Sequence, residues 1–399
     1  MSASDLPVPA RAARAFWPTP DAMRVRAREL FAPGTVLPVA LDGARGLAAL
    51  AVLAFHLRSW LMVPYAEAAP HGPALALFYL ATSFGHEAVI VFFVLSGFLI
   101  GGAVLRLEFG TPGAVADYAI ARVARIAPVL GGAVLLAVVL QALAPSSGPA
   151  CRDALGTVAG NLLALGNLGV PVLCNDLPLW SLSNEVAYYI AFPTLVALAR
   201  GRRAPGVVAA CATLLAICAA SLMLTPWDAQ NVVLYFPAWL AGAALWWLPR
   251  CARPIWPGLA LLAVALAASR MPGADRFFLL RDGATALGCA ALLAGLLGRR
   301  WAIRGRLARL LTAAASGLAG ISFSLYVTHN PVIDAVLRRA APNGAAVPVT
   351  HVSWPLMIGL GGACLGTALT FAQVFERPHR AVAGWLRRIA RGGAAPARS

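Results

Sequence analysis

The sequence predicts an all-α integral membrane protein, a bundle of about ten transmembrane helices with both termini in the cytoplasm. Three observations predict it. Of the 399 residues, 60% are hydrophobic and 12% charged, and the mean hydropathy of +0.75 is far outside the soluble globular range. Apolar blocks of spanning length alternate with charged or Pro/Gly-rich breaks. The 32 basic residues are all arginine, and an even number of spans places 25 of them on one side and seven on the other. This is the positive-inside bias, and it sets the orientation. The formal charge of +16 therefore needs no nucleic-acid partner to explain it.

Residues 1–34 are polar, basic and punctuated by proline, and lack an apolar run ending in a small-residue cleavage site. They are expected to form a cytosolic tail with no cleaved signal peptide. Spans follow near 41–63, 80–104, 127–144, 182–199, 206–224, 232–248, 255–269, 283–298, 312–336 and 354–375. The integral domain is expected over 35–380, with a basic cytosolic tail over 381–399. No internal repeat suggests an inverted-repeat transporter, and no span-free stretch is long enough for a soluble domain. Of seven cysteines, Cys151 and Cys174 share the longest outer loop, 145–180, and can pair in an oxidising compartment. The remainder read as small apolar residues within spans.

Within this frame, ionisable residues in apolar segments stand out. Arg45 and His56 lie eleven residues apart in the first span, a rise of ~16 Å that returns almost to the starting face. They line one stripe, and such groups are costly in a bilayer unless they face a polar interior. In the second span Ser96, Gly97, Gly101 and Gly102 read as small residues for close helix packing. His86 and Glu87 near its outer mouth read as hydrated. Arg122 and Arg125 share one face of a short helix ending an inner loop, near Arg106. They serve either as positive-inside charge or as a guanidinium fork for phosphates. Trp180, Ser181, Asn184 and Glu185 cluster at an outer interface, where Glu185 needs a partner and a histidine is a natural one. Ser324, Tyr326 and His329 lie in the outer half of the ninth span, with Asp334 beyond. Glu376 and Arg377 read as a structural charge pair at the inner interface. No metal site and no permanently bound cofactor are expected.

Six of these pieces occur in one order: R-x10-H at Arg45 and His56, FFVLSGFLI in the second span, R-x-x-R at Arg122 and Arg125, WSLSNE at 180–185, FSLYVTH at 323–329 and FERP at 375–378. Over roughly residues 41–380 the chain resembles the acyltransferase 3 family, the membrane O-acetylases of O-antigens and polysaccharides. It departs from the family pattern at Ala88-Val89-Ile90, where an acid often precedes the FF pair, and at Val186, where many members carry a second acid after Glu185. Both departures bear on the acceptor more than on the reaction. With no room for a fused hydrolase-like domain, the chain resembles the stand-alone form.

The resemblance implies transfer of an acyl group from cytosolic acyl-CoA, most often acetyl-CoA, to a carbohydrate or glycoconjugate hydroxyl at the outer face of the inner membrane. Arg45, Arg122 and Arg125 would hold the phosphates of the donor substrate. His56 would act as general base, or carry a transient acyl group. Glu185 would orient His56 or the acceptor, and Trp180 and Tyr326 would offer stacking surface for a sugar. Ser181, Asn184, His329 and Ser96 complete the acceptor side or support it. The alternative is a transporter or flippase of a lipid-linked sugar or small solute, with the buried charges as a proton relay. A sensor or scaffold leaves the Arg45–His56 stripe unexplained.

Overall fold

A computed structural model describes residues 17–68, 71–143, 153–202, 205–224, 230–249, 251, 253–271, 273–300, 305–340 and 354–391. Among them there are helices and turns and no β-strand. The helices are α1 (Pro20–Leu30), α2 (Leu37–Leu61), α3 (Pro73–Ala81), α4 (Gly85–Leu105), α5 (Ala114–Leu143), α6 (Leu155–Leu162) and α7 (Leu179–Ala199). They continue with α8 (Pro205–Leu224), α9 (Val232–Ala244), α10 (Trp256–Ala268), α11 (Phe278–Leu296), α12 (Arg306–Ala340), α13 (Trp354–Phe371) and α14 (His379–Ala390). Seven helical stretches are long and apolar enough to cross a membrane, and three shorter apolar helices lie at 206–216, 232–247 and 256–268. Among the described residues the expected blocks fall on helices, seven on these long stretches and those near 206–224, 232–248 and 255–269 on the three shorter ones.

Three boundaries differ from the sequence expectation. α5 begins at Ala114 and runs unbroken through Pro128, so Arg122 and Arg125 stand on a long helix rather than at the end of a loop. Part of the expected N-terminal tail is α1, capped by Thr19, which accepts from Ala22 N at 3.3 Å, and opened by Pro20. Met23 and Leu30, seven residues apart on one face, are buried. Beyond α13 a π-helical turn, Ala372–Glu376, leads into α14 where a tail was expected.

The chain divides into two compact units. The first comprises residues 1–38, 93–119 and 184–303. Its core is aromatic, with Phe93, Tyr188, Tyr235 and Trp239 in mutual ring contact. The expected small-residue packing is present: a Cβ at Gly97 would lie 1.8 Å from the Trp239 carbonyl oxygen, and one at Gly242 1.9 Å from that of Val94. The backbones of α4 and α9 touch there, which only glycine permits. The C-terminal carbonyls of α4 are closed by Arg200, which donates to Leu105 O and Leu107 O, both at 2.8 Å.

The second unit comprises residues 39–92, 120–183 and 304–399. Its apolar core joins Leu53, Leu57 and Leu61 of α2 to Leu325 and Ile333 of α12 and Leu360 and Ala368 of α13. A Cβ at Gly46 would meet Leu318 Cβ at 2.6 Å, one at Gly43 would meet Ala315 Cβ at 3.9 Å, and further along His56 meets His329. Residue numbers rise together on both helices, so α2 and α12 run parallel. The stripe of Arg45 and His56 is thereby laid along α12.

Candidate active site

The C-terminal half of this helix pair holds two imidazoles. His329 Nε2 lies 3.0 Å from His56 Nδ1, with ring centroids 4.9 Å apart. His329 Nδ1 is 3.0 Å from the Leu325 carbonyl and His56 Nδ1 is 3.1 Å from the Val52 carbonyl. A carbonyl only accepts, so His329 carries its proton on Nδ1, and its Nε2 in the neutral ring is an acceptor. His56 Nδ1 then faces two acceptors and must be the protonated nitrogen. The lone pair of the pair is left on His56 Nε2. His329 is fully buried. Two residues on, Pro331 lacks the N–H that would bond the Val327 carbonyl, which loosens α12 beside the pair.

Among the described residues His329 is a side-chain partner of His56. Glu185 lies in the first unit, where it ends a hydrogen-bond chain. Tyr189 donates to its carboxylate at 2.9 Å, Ser96 is 3.2 Å from Tyr189 Oη, and Trp239 Nε1 donates to Ser96 Oγ at 3.2 Å. With Tyr189 committed to Glu185, Ser96 donates to Tyr189 and accepts from Trp239. Asn184, also in that unit, donates to the Gln230 carbonyl at 3.1 Å.

On the same face of α12 as His329, the Tyr326 hydroxyl meets Ser181 Oγ at 2.7 Å and the Pro178 carbonyl at 3.1 Å. Phe92 packs edge-on against its ring at 5.7 Å. Trp180 and Tyr326, expected as stacking surface, are each 7% exposed and so form part of the packed wall. Asn330 donates to the Asn175 carbonyl at 3.2 Å, so the turn over 175–178 is clamped on this helix face at both ends. Within it lies a residue that pattern reading missed. Asp176 is fully buried, and among the described residues its carboxyl oxygens have no hydrogen-bond partner. Burial holds that carboxyl well above the usual carboxylate range. A lone acid in a Pro-rich loop carries no periodicity to mark it. Glu87, expected to be hydrated, is buried at 4% exposure, and Asp334 pairs with Arg338 one turn on at 2.6 Å. Cys174 is disulfide-bonded, and Cys151, its expected partner, lies outside the described residues.

Toward the N-terminal side of the α2–α12 pair is a cavity of about 430 Å³. Its charged lining is Asp42, Arg45, Arg125, Glu376, Arg377 and Arg380, with Ala319 and Gly320 giving it room on the α12 side. Arg125 does not stand free in it. Its guanidinium bonds Glu376 Oε1 at 2.8 Å, and Ser324 Oγ donates to Oε2 at 2.7 Å. The expected Glu376–Arg377 pair is therefore corrected: Glu376 is buried against Arg125, because the π turn with its Arg377 N to Ala372 O bond adds a residue and swings the next side chains by ~100°. Arg122 is not among the lining residues.

In comparison with known proteins, residues 39–373 match the model of the acyltransferase domain family known as acyltransferase 3. No curated protein matches. No solved structure matches either. The match begins within α2 and ends inside the π turn, so it includes Arg45, His56 and His329 and stops short of Glu376, Arg377 and Arg380.

Proposed function

The chain belongs to the acyltransferase 3 family, is a multi-pass membrane acyltransferase, and from that premise we propose that it is an O-acyltransferase of the inner membrane. The donor is cytosolic acyl-CoA, with acetyl as the acyl group, and the acceptor is a hydroxyl of a carbohydrate or glycosylated molecule at the outer face. One observation carries this reading: the free lone pair of His56 Nε2 lies on the same stripe of α2 as Arg45, ~16 Å along the axis. Arginines at the inner end hold phosphates, and an extended pantetheine arm spans the distance to the imidazole.

His56 Nε2 takes the proton of the acceptor hydroxyl as that oxygen attacks the thioester carbonyl. The tetrahedral intermediate collapses with cleavage of the C–S bond. The imidazolium returns the proton to the leaving sulfur, giving the acyl ester and free CoA. Attack by His56 Nε2 on the thioester, with an acyl-imidazole then passed to the acceptor, uses the same atom. In either route His329, by accepting from His56 Nδ1–H, holds the tautomer that keeps Nε2 bare and steadies the imidazolium when it forms.

The test uses full-length protein in nanodiscs with radiolabelled acetyl-CoA, and cells with and without the gene whose surface glycans are compared by mass spectrometry. Wild type is expected to add acetyl groups, and His56→Ala to add none while inserting normally. Near-normal turnover by His56→Ala overturns the assignment.

A further inference from the structure

The inner cavity holds a second arginine pair with the spacing of the first. Arg377 and Arg380 are three residues apart across the π turn and the start of α14, both are exposed, and both line the cavity. Among the described residues neither has an ion-pair or hydrogen-bond partner, whereas Arg125 is neutralised by Glu376. His379 between them is fixed by its Nδ1, 2.9 Å from the Glu376 carbonyl. The cavity therefore presents two uncompensated guanidiniums at its mouth, and Arg45 on the stripe that leads to His56.

A coenzyme A donor carries its phosphates in two places, a diphosphate next to the pantetheine arm and a 3′-phosphate on the ribose, farther from the thioester. With the arm directed along α2 toward His56, the diphosphate falls beside Arg45 and the 3′-phosphate is left at the mouth. We infer that Arg377 and Arg380 form the fork that binds the 3′-phosphate of the acyl-CoA donor. Two guanidiniums offer paired N–H donors that match phosphate oxygens and stay charged at any working pH. This assignment rests on the reading of acyl-CoA as donor.

Isothermal titration of full-length protein with acetyl-CoA and with its 3′-dephospho form tests it, in nanodiscs of neutral and of anionic lipid. Wild type is expected to bind acetyl-CoA at least ten-fold more tightly than the dephospho form. Arg377→Ala/Arg380→Ala is expected to lose that preference by weakening acetyl-CoA alone, and the paired lysine variant to recover part of it. Equal affinities in wild type, or a preference the double alanine variant retains, overturn the inference and leave the donor reading standing. A preference seen only in neutral lipid assigns the pair to headgroup phosphates and also overturns it. Failure of wild type to bind either form removes the donor reading and this inference together.

Discussion

The two ends of the α2–α12 pair use ionisable side chains in opposite ways. On the N-terminal side of the pair, acidic and basic side chains are set around a cavity, and the buried Glu376 carboxylate is matched to Arg125. On the C-terminal side two imidazoles touch each other and backbone carbonyls, in an arrangement that holds with both rings neutral. On the proposed function, the charge that grips phosphate lies among partly exposed side chains, where water lowers its cost. On the same proposal, the group that gains and loses a proton is held by hydrogen bonds to a second imidazole and a backbone carbonyl. A single helix, α2, contributes to both because eleven residues bring the same face round again.

That division separates rate from affinity, and substitutions at the two ends should split accordingly. The largest effect is expected for His56→Ala, a fall in turnover of about 10²–10⁴-fold with acyl-CoA affinity within two-fold of wild type by titration, an affinity window of about 0.4 kcal/mol. A parallel loss of affinity would break the division. Next is Arg125→Ala. It strands the Glu376 carboxylate, 3% exposed, on Ser324 alone, and should cost about 3 kcal/mol of stability, seen as earlier thermal unfolding in detergent. The Arg125 side chain is 29% exposed, which keeps the cost at the lower end of the buried-pair range. Unchanged unfolding with weaker acyl-CoA binding would return Arg125 to the donor site as a direct ligand.

Gly46→Leu tests the link between the ends. Its side chain must enter space where even a Cβ lies 2.6 Å from Leu318, so overpacking of roughly 1–3 kcal/mol is expected. Because it pushes α2 from α12, both acyl-CoA affinity and turnover should fall; a change in one alone would show that the ends do not share this contact. The smallest effect belongs to His329→Gln. Losing the bond that fixes the His56 tautomer is worth about 1 kcal/mol, hence a turnover drop of roughly five-fold without a change in affinity. A loss as deep as that of His56→Ala would make His329 a direct participant in proton transfer.

Much of this architecture is written in local sequence. Runs of apolar residues long enough to satisfy their own backbone bonds locate the helices, and the matching sequence motifs lie at Arg45, His56, Trp180 and Tyr326 without reference to any contact. The same holds for the glycines of α4, whose i, i+4 spacing announces a close neighbour without saying which helix it is. What local sequence omits is the partner. Arg122-x-x-Arg125 and Arg377-x-x-Arg380 have the same spacing, yet one arginine is tied to Glu376, 251 positions away, and two others line a cavity without a partner among the described residues.

By itself, then, the sequence determined the helical membrane class, the helix positions, the family motifs and the stripe of Arg45 and His56, because hydropathy and periodicity are properties of single segments. Only the tertiary structure decided that His329 fixes the tautomer of His56, that Glu376 turns to Arg125 rather than Arg377, that α1 and α14 fold where tails were expected, and that Asp176 is buried with no donor among the described residues. Each of these depends on the rotation and register of one helix against another. Those are set by close contacts such as Gly46 on Leu318 and by the extra residue of a π turn, and neither leaves a periodic mark in the chain.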